Sequence, residues 1–345
     1  MSSFDANAVR VNTLATPGAA EKGLAGIESR RSSALKAVRK PATLAAIANL
    51  KGGVGKSTTT VMLADGLAYF YGMSVLVIDL DPQANSSQML LTERGVQAAS
   101  DQGKGAHHLL AEFMAGRPAS AAPFIMPNAV SLEELRVAEE QDEREGWVSI
   151  LPAHPQLRLR EMGLEEEWYS KTGTPTTLST ALTDYFREAF APLETLYDVI
   201  LIDCPPHLSP LARAGLSLSN VFVTPTIADS VSTWGTKQFS DWIGRNVAPD
   251  LPERNFVLIT RFRDTRYARQ VASDLREIYL KDRWFGPTIP ESVHVLNAMD
   301  RPALDSYNTF RGKYGGVRLD VRRLAERFSD FLGQRTGVTW QKIRD

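Results

Sequence analysis

A glycine-rich turn between two apolar segments constrains the fold of this chain more than any other feature. The run LAAIANL at residues 44–50 has the length and apolar content of a buried parallel strand. The turn KGGVGKSTTT leads from it into a helical pattern that continues through Tyr71. Glycines let several backbone N–H groups point into such a turn, and the start of the helix adds a partial positive charge. The sequence therefore predicts a strand, a phosphate-binding loop and a helix in succession.

The side chains of this loop have separate expected tasks. Lys56 is placed to reach the β- and γ-phosphates of a nucleotide, and Ser57 to hold Mg²⁺. Where the ordinary phosphate-loop pattern begins with glycine, this chain has Leu50, followed by an additional lysine. A tight turn without a ligand is the alternative, and the position between strand and helix argues against it. The residues expected to bind the nucleotide are Lys51, Gly52, Gly53, Val54, Gly55, Lys56, Ser57 and Thr58.

Three aspartates stand at the ends of two further apolar runs. Asp79 and Asp81 close the run SVLVIDLD, and residues two apart on a strand point to the same face, so both carboxylates can face the phosphate site. Asp203 closes the run YDVILID and reaches the same edge of the sheet, where it can bind Mg²⁺ through water. A role in a turn or a helix cap is the alternative for the first pair.

Apolar runs alternate with helical patterns along much of the chain. The predicted strands comprise residues 44–50, 74–81, 197–203, 220–226 and 255–262, with VSILPAHPQL as a further strand that leads into a turn. This alternation predicts an α/β fold with a doubly wound, mostly parallel sheet flanked by helices. In such folds ligands bind at the carboxyl ends of the strands.

Composition excludes several classes of protein. The chain has 345 residues, with 39 basic and 40 acidic side chains, so any basic surface must be local. Its single cysteine, Cys204, excludes an internal disulfide and a cluster of thiolate metal ligands, and fits a reducing, cytoplasmic setting. No uncharged apolar run approaches the roughly 18 residues that cross a bilayer. We therefore expect a cytoplasmic protein without a membrane segment.

Taken together, these motifs resemble the ParA/MinD family of deviant Walker A P-loop ATPases, and most closely its ParA branch. The stretches that carry the resemblance are KGGVGKSTTT, VLVIDLDPQANSS and YDVILIDCPPHLSPLARAGL, with looser matches at VSILPAHPQL and FGPTIPESVHVLNAMDRPALDSY. Composition and resemblance together divide the chain into three parts. We expect a flexible basic N-terminal extension at 1–40, a ParA-like P-loop ATPase domain at 41–335 and a C-terminal tail at 336–345.

The resemblance implies an ATPase with weak intrinsic activity that uses ATP and Mg²⁺ and forms a homodimer on binding ATP. Two subunits would enclose two ATP molecules, with Lys51 of each reaching the phosphates of the other. A second ammonium group stabilises charge on the transferring γ-phosphoryl group, so hydrolysis is tied to association. The residues implied to be catalytic are Lys51, Lys56 and Asp81, the last by positioning or activating the attacking water.

The same resemblance assigns the remaining site residues. Asp79 would support the metal and the loop, and Ser57 and Asp203 would hold Mg²⁺. Residues after a late strand and in the loop near Ile289 fall where the family contacts adenine. These expected adenine contacts are Thr260, Arg261 and Pro290.

ParA-like proteins bind DNA without sequence preference as ATP dimers, and a ParB-like or cargo adaptor protein stimulates hydrolysis. A local cluster of cations fits this role, because phosphate neutralisation gives sequence-independent affinity that weakens with salt. A solvated arginine face paired with acids is the alternative. The residues predicted to contact DNA are Arg263, Arg266, Arg269, Lys281 and Arg283. The implied location is the nucleoid, and the implied cargo is a plasmid, a chromosome region or a protein assembly.

A MinD-like regulatory switch tethered to a membrane or a protein is the alternative function. MinD-like relatives bind membranes through a C-terminal amphipathic helix, and apolar residues between Val321 and Leu332 follow helical spacing here. Acidic residues dilute the basic face of this helix, so we expect it to pack in the core and membrane binding to be absent.

Overall fold

The computed structural model describes residues 40–129, 132, 134, 135, 146–172, 176–279, 284–300, 307 and 309–344. The predicted N-terminal extension, apart from Lys40, lies outside the described residues. The strands are β1 (Thr43–Ile47), β2 (Ser74–Asp79), β3 (Trp147–Leu151), β4 (Val199–Asp203), β5 (Val221–Ile227), β6 (Asn255–Thr260) and β7 (Trp284–Phe285). The helices are α1 (Lys56–Tyr71), α2 (Asn85–Asp101), α3 (Ala106–Met114), α4 (Gln156–Thr172), α5 (Thr176–Phe190), α6 (Pro210–Leu218), α7 (Ser230–Asn246), α8 (Leu251–Arg254), α9 (Arg266–Tyr279), α10 (Val293–Met299), α11 (Phe310–Tyr314) and α12 (Arg318–Thr336).

The strands form one sheet in the order β3-β2-β4-β1-β5-β6-β7, and neighbouring strands pair in parallel. This confirms the predicted α/β fold with a doubly wound, mostly parallel sheet. The chain proceeds from the central strand β1 toward β2, β3 and β4 on one side, and then toward β5, β6 and β7 on the other. Ligand sites of such sheets lie at the carboxyl ends of the strands where the direction of winding reverses. The loop after β1 occupies that position.

Helices cover both faces of the sheet because alternate strand residues point to opposite sides. Ala45 and Ile47 of β1 pack in one core with α1, α11 and α12, and Leu44 and Ala46 pack in the other with α3 to α7. The prediction that the C-terminal helix packs in the core is confirmed. Its buried apolar residues are Val321, Leu324, Ala325, Phe328, Phe331 and Leu332. Among the described residues, no helix has the length and apolar content to span a bilayer.

Several strand ends differ from the predicted ones for reasons of backbone geometry. β1 ends at Ile47, before the predicted residue 50, and β6 ends at Thr260 because Arg261 adopts a left-handed φ of 49°. Pro225 lies inside β5, where a missing N–H group would interrupt a central ladder. The part of β5 that contains Pro225 pairs only with β6, because the pairing of β5 with β1 ends at Val223. The proline therefore lies where β5 has a neighbouring strand on one side. Cys204 follows β4 directly and is buried.

The residues after α12 fold back onto the end of α1. The helix ends at Thr336, and Gly337 follows with a left-handed φ of 66°. The N–H group of Ile343 donates to the carbonyl oxygen of Phe70 at 2.8 Å, and the Arg344 guanidinium donates to that of Tyr69 at 3.0 Å. These hydrogen bonds attach the C-terminal residues to the helix that starts at the glycine-rich loop.

A buried ion pair joins α1 to α11. The Asp65 carboxylate accepts hydrogen bonds from the Lys313 ammonium and from the Tyr314 hydroxyl, and both charged side chains are fully buried. A buried charge that loses its partner retains the full cost of its desolvation. The pair therefore fixes the position of α1, and with it the loop at the start of that helix.

Replacing Lys313 with methionine leaves the Asp65 carboxylate buried without its ammonium partner. We expect Lys313→Met to lower the free energy of unfolding by about 3–5 kcal/mol, as measured by urea unfolding. The double variant Asp65→Leu/Lys313→Met removes both charges and should recover most of that loss. A single variant within about 1 kcal/mol of the unmodified protein would contradict this role.

Candidate nucleotide-binding site

The loop after β1 has the backbone geometry of an anion-binding turn. Gly53 and Gly55 adopt left-handed φ angles of 73° and 79°, which strain any residue with a Cβ atom. Helix α1 begins at Lys56, and the residue before it, Gly55, has no side chain that could accept hydrogen bonds from the first N–H groups of the helix. Such N–H groups and the partial positive charge of the helix start attract phosphate. The predicted phosphate loop is thus present in the expected place.

A cavity of about 520 Å³ lies against this loop, a volume within the usual range for small-molecule sites. Its walls come from the loop, the start of α1, the segments after β2 and β6 and the start of α10. The predicted site residues that line it are Gly52, Gly53, Gly55, Lys56, Ser57, Thr58, Asp81, Thr260, Arg261 and Pro290. The structure therefore brings the predicted phosphate and adenine residues together around one cavity.

The three predicted aspartates meet at the carboxyl edge of the sheet. The register between β2 and β4 places Asp79 beside Asp203, and both are fully buried, whereas Asp81 is 6% exposed. The Asp79 carboxylate accepts hydrogen bonds from the Ser87 hydroxyl at 2.7 Å and from the Asp81 N–H group at 3.0 Å. The Asp203 carboxylate accepts one from the Ser86 hydroxyl. Ser86 and Ser87, for which no role was predicted, hold the carboxylates in place.

The buried ammonium group of Lys56 lies near two of these carboxylates, Asp203 and Asp81. Burial lowers the pKa of Lys56, although the charges of Asp203 and Asp81 raise it, and its Nζ donates to the Lys51 carbonyl oxygen at 3.2 Å. Burial also raises the pKa of Asp203 to about 6, against hydrogen bonds from Ser86 and Ser57 that lower it. For Asp79, burial and then the neighbouring Asp203 raise the pKa well above its usual value. In the part of the chain that the structure describes, the site thus has more buried carboxylates than buried cations.

The geometry fits a divalent cation next to Asp203. Its Oδ1 atom is buried and has no hydrogen-bond partner among the residues that the structure describes. The Ser57 hydroxyl reaches the same carboxylate, so the two predicted metal ligands lie together. Carboxylate and hydroxyl oxygens are ligands that Mg²⁺ prefers, and Mg²⁺ is usually completed by water and substrate phosphates. These residues could therefore hold Mg²⁺ beside a bound triphosphate.

Lys51 contacts the first turn of α7. Its Nζ lies 2.5 Å from the Ser232 hydroxyl and 3.4 Å from the Asp229 carboxylate. Its backbone N–H group donates to the Asn49 side chain at 3.2 Å. The side chain is 33% exposed, so it is held by weak contacts at the surface. Lys51 therefore differs from Lys56, whose ammonium group is buried beside the carboxylates.

Asp229 holds α7 and Lys51 at once. It caps the helix by accepting the Ser232 N–H group at 2.7 Å, and its carboxylate also accepts the Ser232 hydroxyl at 2.6 Å. Partial burial raises the pKa of Asp229, but the bonds from Ser232 and the Lys51 charge outweigh it, and the net pKa is lowered. Neither Asp229 nor Ser232 was predicted as a site residue. The pattern DSVS is a helix-capping signature, but it does not indicate that a lysine 178 positions earlier lies against it.

The predicted adenine residues make contacts of their own at the cavity. The Thr260 hydroxyl donates to the Val54 carbonyl oxygen at 2.7 Å, and the Arg261 guanidinium donates to that of Gly53 at 3.0 Å. Both side chains therefore brace the phosphate loop. Arg261 also pairs with Glu291 at 3.3 Å, next to Pro290. Contact with adenine stays a prediction.

Three of the five predicted DNA contacts, Arg263, Arg266 and Arg269, lie in or just before the start of α9, near Glu291 at the border of the cavity. Arg263 pairs with Glu291, Arg269 pairs with Asp264 at 2.6 Å, and Arg266 is the first residue of α9. Lys281 and Arg283 lie outside the described residues. The Arg263 and Arg269 side chains are 75% and 66% exposed, and Asp264 is 69% exposed, whereas Glu291 is 26% exposed. Part of the alternative, an arginine face paired with acids, is therefore present.

Comparison with known proteins agrees with this geometry. A family model described as "AAA domain" matches residues 42–249, more than half of the chain. The chromosome-partitioning ATPase Soj of Thermus thermophilus is 32% identical over 256 residues, which are 73% of this chain and 83% of that protein. Among solved structures, the McdA–ATP complex from Cyanothece is 18% identical, with a TM-score of 0.60 over 86% of this chain and 98% of that one.

A plasmid partition protein from Borrelia burgdorferi is 21% identical, with a TM-score of 0.57 over 85% of this chain and 100% of that one. At such identities the two structural likenesses concern the fold. The sequence relatives and the family model carry the assignment. The chain belongs to the ParA/MinD family of deviant Walker A P-loop ATPases, among the relatives of Soj and ParA.

Proposed function

We propose that this protein closes around ATP as a homodimer, binds DNA without sequence preference, and positions a plasmid, a chromosome region or a protein assembly. The observation that carries the proposal is the position of Lys51. This lysine follows β1, stands beside the phosphate loop and is half-buried on α7. The names of its relatives, which include chromosome partitioning proteins, support the cargo class.

Within one subunit, the loop and Lys56 hold the triphosphate. The N–H groups at Gly53 and Gly55 and the start of α1 receive phosphate oxygens, and the buried Lys56 ammonium neutralises their charge. Asp81 lines the cavity and orients the attacking water, while Asp79 fixes the backbone of Asp81 through a hydrogen bond of 3.0 Å. Each role is carried by a residue that borders the cavity or touches one that does.

Ser57 and Asp203 hold Mg²⁺ in this proposal. The ion, when bound, neutralises charge on the phosphates. Asp203 contributes a buried oxygen that has no other partner among the described residues, and Ser86 fixes the second oxygen. Because burial raises the pKa of Asp203, ionising it costs folding free energy in the metal-free protein. A cation removes that cost, which is why we place Mg²⁺ here.

Lys51 leaves α7 and reaches the nucleotide of the second subunit. Exposed or half-exposed ion pairs contribute roughly 0–1 kcal/mol, so the contact with Asp229 is a weak barrier to this movement. The ammonium would then stabilise charge that develops on the transferring phosphoryl group. Dimerisation thereby completes a site that one subunit has only in part.

DNA binds through the arginines at the start of α9, Arg263, Arg266 and Arg269. Arg263 pairs with Glu291 and Arg269 with Asp264 through arginine side chains that are 75% and 66% exposed. Ion pairs of such exposed arginines open at little cost when a phosphate replaces the carboxylate. Lys281 and Arg283 extend the same basic segment in sequence. A ParB-like or cargo adaptor protein would stimulate hydrolysis and release the dimer from the nucleoid.

ATP-dependent binding to unrelated DNA tests the proposed function. We expect the ATP-bound protein to bind random duplexes at low salt, with affinity that falls steeply as salt rises, and the ADP-bound protein to bind far more weakly. Fluorescence anisotropy measures both affinities.

The Lys51→Ala variant should retain part of its ATP binding but lose dimerisation, as measured by light scattering, and DNA binding with it. If the ATP-bound protein does not bind DNA and sediments with anionic vesicles, the result would instead indicate the MinD-like switch.

Removing the Asp81 carboxylate should separate dimerisation from turnover. We expect Asp81→Ala to bind ATP and form dimers that persist, because its phosphate and lysine contacts remain while the attacking water is not oriented. Phosphate release should fall by about 10²-fold or more, the usual size of such a contribution. Normal turnover in this variant would remove Asp81 from the mechanism.

Proton competition at Asp203 should make Mg²⁺ binding depend on pH. Since the pKa of Asp203 is raised to about 6, the protonated side chain predominates below that pH and Mg²⁺ must displace the proton. We expect thermal stabilisation by Mg²⁺ and ATP to be full near pH 7.5, and to diminish as the pH falls through about 6. Asp203→Asn is the control, because the bound nucleotide still titrates in that variant but position 203 does not. An identical pH profile in both proteins would exclude this role.

A further inference from the structure

A buried asparagine stands where the chain leaves β1 and enters the phosphate loop. Just before it, the Ala48 N–H group donates to the Val223 carbonyl oxygen of β5 at 3.0 Å. Asn49 then uses its side chain instead, because its Nδ2 donates to the Pro225 carbonyl oxygen at 2.9 Å. The residue is 1% exposed. The Asn49 side chain thus continues the contact between β1 and β5 while the backbone begins the loop.

The amide group of Asn49 has two further hydrogen bonds. Its Oδ1 accepts the Lys51 N–H group at 3.2 Å, and its Nδ2 also donates to the Thr236 hydroxyl at 3.1 Å. An asparagine that accepts a hydrogen bond from the backbone two residues later stabilises a turn. Thr236 lies in the second turn of α7. Asn49 therefore connects the backbone of Lys51 to β5 and to α7 at once.

Threonine hydroxyls extend these contacts to the other end of the loop. The Thr236 hydroxyl donates to the Thr226 hydroxyl at 2.8 Å. The Thr260 hydroxyl lies 3.1 Å from the Thr226 carbonyl oxygen and 2.7 Å from that of Val54. All of these threonines are buried. We call the following residues the loop network: Asn49, Thr226, Thr236 and Thr260. The network holds the phosphate loop near both of its ends.

We propose that Asn49 is a positioning residue for Lys51. Through the loop network it fixes the Lys51 backbone on α7, so that only the side chain moves when the ammonium group leaves Asp229. This inference rests on the function proposed above, because it assumes that Lys51 acts on the nucleotide of a second subunit. The same helix holds both parts of the lysine. Thr236 anchors its backbone through Asn49, and Ser232, one turn earlier, lies 2.5 Å from its Nζ.

A fixed backbone makes the reach of Lys51 more effective. Ordering a backbone costs conformational entropy, and a reacting group that is already oriented avoids that cost. The loop network forms within one subunit, so only the lysine side chain remains to be ordered on the phosphates of the other. ATP binding within one subunit depends instead on Lys56 and on the N–H groups at Gly53 and Gly55. Loosening the network should therefore weaken the dimer more than it weakens ATP binding.

Thr236→Val tests the network at its contact with α7. Valine has nearly the shape of threonine but accepts no hydrogen bond, so Asn49 loses α7 and keeps Lys51 and Pro225. We expect the dissociation constant of the ATP-bound dimer to rise about five- to tenfold, and the ATP affinity of the single subunit to change less than about twofold. Light scattering over a range of protein concentrations measures the first constant. Fluorescence of a labelled ATP analogue at low protein concentration measures the second.

Two matched variants act as controls. Thr236→Ser keeps the hydroxyl group and should restore the dimer affinity of the unmodified protein. Thr183→Val makes the same exchange at a threonine of α5 that is 8% exposed and donates to the Ser179 carbonyl oxygen at 2.7 Å. That residue is outside the loop network, so this variant should leave dimerisation unchanged. Thermal melting verifies that all three variants are folded.

A substitution of the asparagine itself gives an independent measurement. In Asn49→Ser the hydroxyl can still accept the N–H group of Lys51, but serine is too short to reach β5 and α7 as well. We expect the same difference between dimer affinity and ATP affinity as for Thr236→Val. The double variant Asn49→Ser/Thr236→Val should weaken the dimer little more than Asn49→Ser alone, because residues that share one contact are not additive.

The outcomes separate this inference from the proposed function. If Thr236→Val and Asn49→Ser dimerise with ATP as tightly as the unmodified protein, the loop network does not position Lys51, and the inference fails while the function stands. An equal loss of ATP affinity and of dimer affinity would show that the network only supports the fold of the loop, which also overturns it. If the unmodified protein binds ATP and stays a single subunit, the proposed function itself fails.

Discussion

Among the described residues, three buried carboxylates and one buried ammonium group, that of Lys56, lie at the carboxyl edge of the sheet, and the rest of the site follows from this imbalance. Asp79 and Asp203 are adjacent because β2 and β4 pair in register, so the parallel sheet itself creates the concentration of negative charge. Lys56 offsets part of it, and hydroxyl groups from Ser86 and Ser87 offset more. Buried charges are tolerated when they are paired or bind metal. The negative charge that remains unneutralised makes this edge of the sheet suited to a cation that is bound together with a nucleotide.

Much of this architecture could be predicted from local sequence. Buried parallel strands give uninterrupted apolar runs, and the glycine-rich turn is distinctive because Gly53 and Gly55 must adopt left-handed backbone conformations. The position of each aspartate at the end of an apolar run was enough to place it at the edge of the sheet. The C-terminal helix could be assigned to the core because acidic residues interrupt the basic face that a membrane helix would need.

Contacts between distant segments could not be predicted. The contact between Lys51 and Asp229 joins residues 178 positions apart, and no local pattern encodes it. The left-handed backbone at Arg261 ends β6 two residues before the apolar pattern does, and it turns this side chain back onto the carbonyl oxygen of Gly53. Arg261 and Thr260 were expected at adenine, yet their visible contacts brace the phosphate loop. Such contacts depend on which loops the folded sheet brings together.

The burial of Cys204 has a practical consequence for chemical labelling. It is the only cysteine in the chain, it lies directly beside Asp203, and its residue is 1% exposed. Burial, and then the adjacent carboxylate, raise the pKa of its thiol far above neutrality, so the reactive thiolate is scarce. Maleimide reagents should therefore leave the folded protein unmodified. A cysteine introduced at a chosen surface position would accept a single fluorophore without prior removal of the natural one.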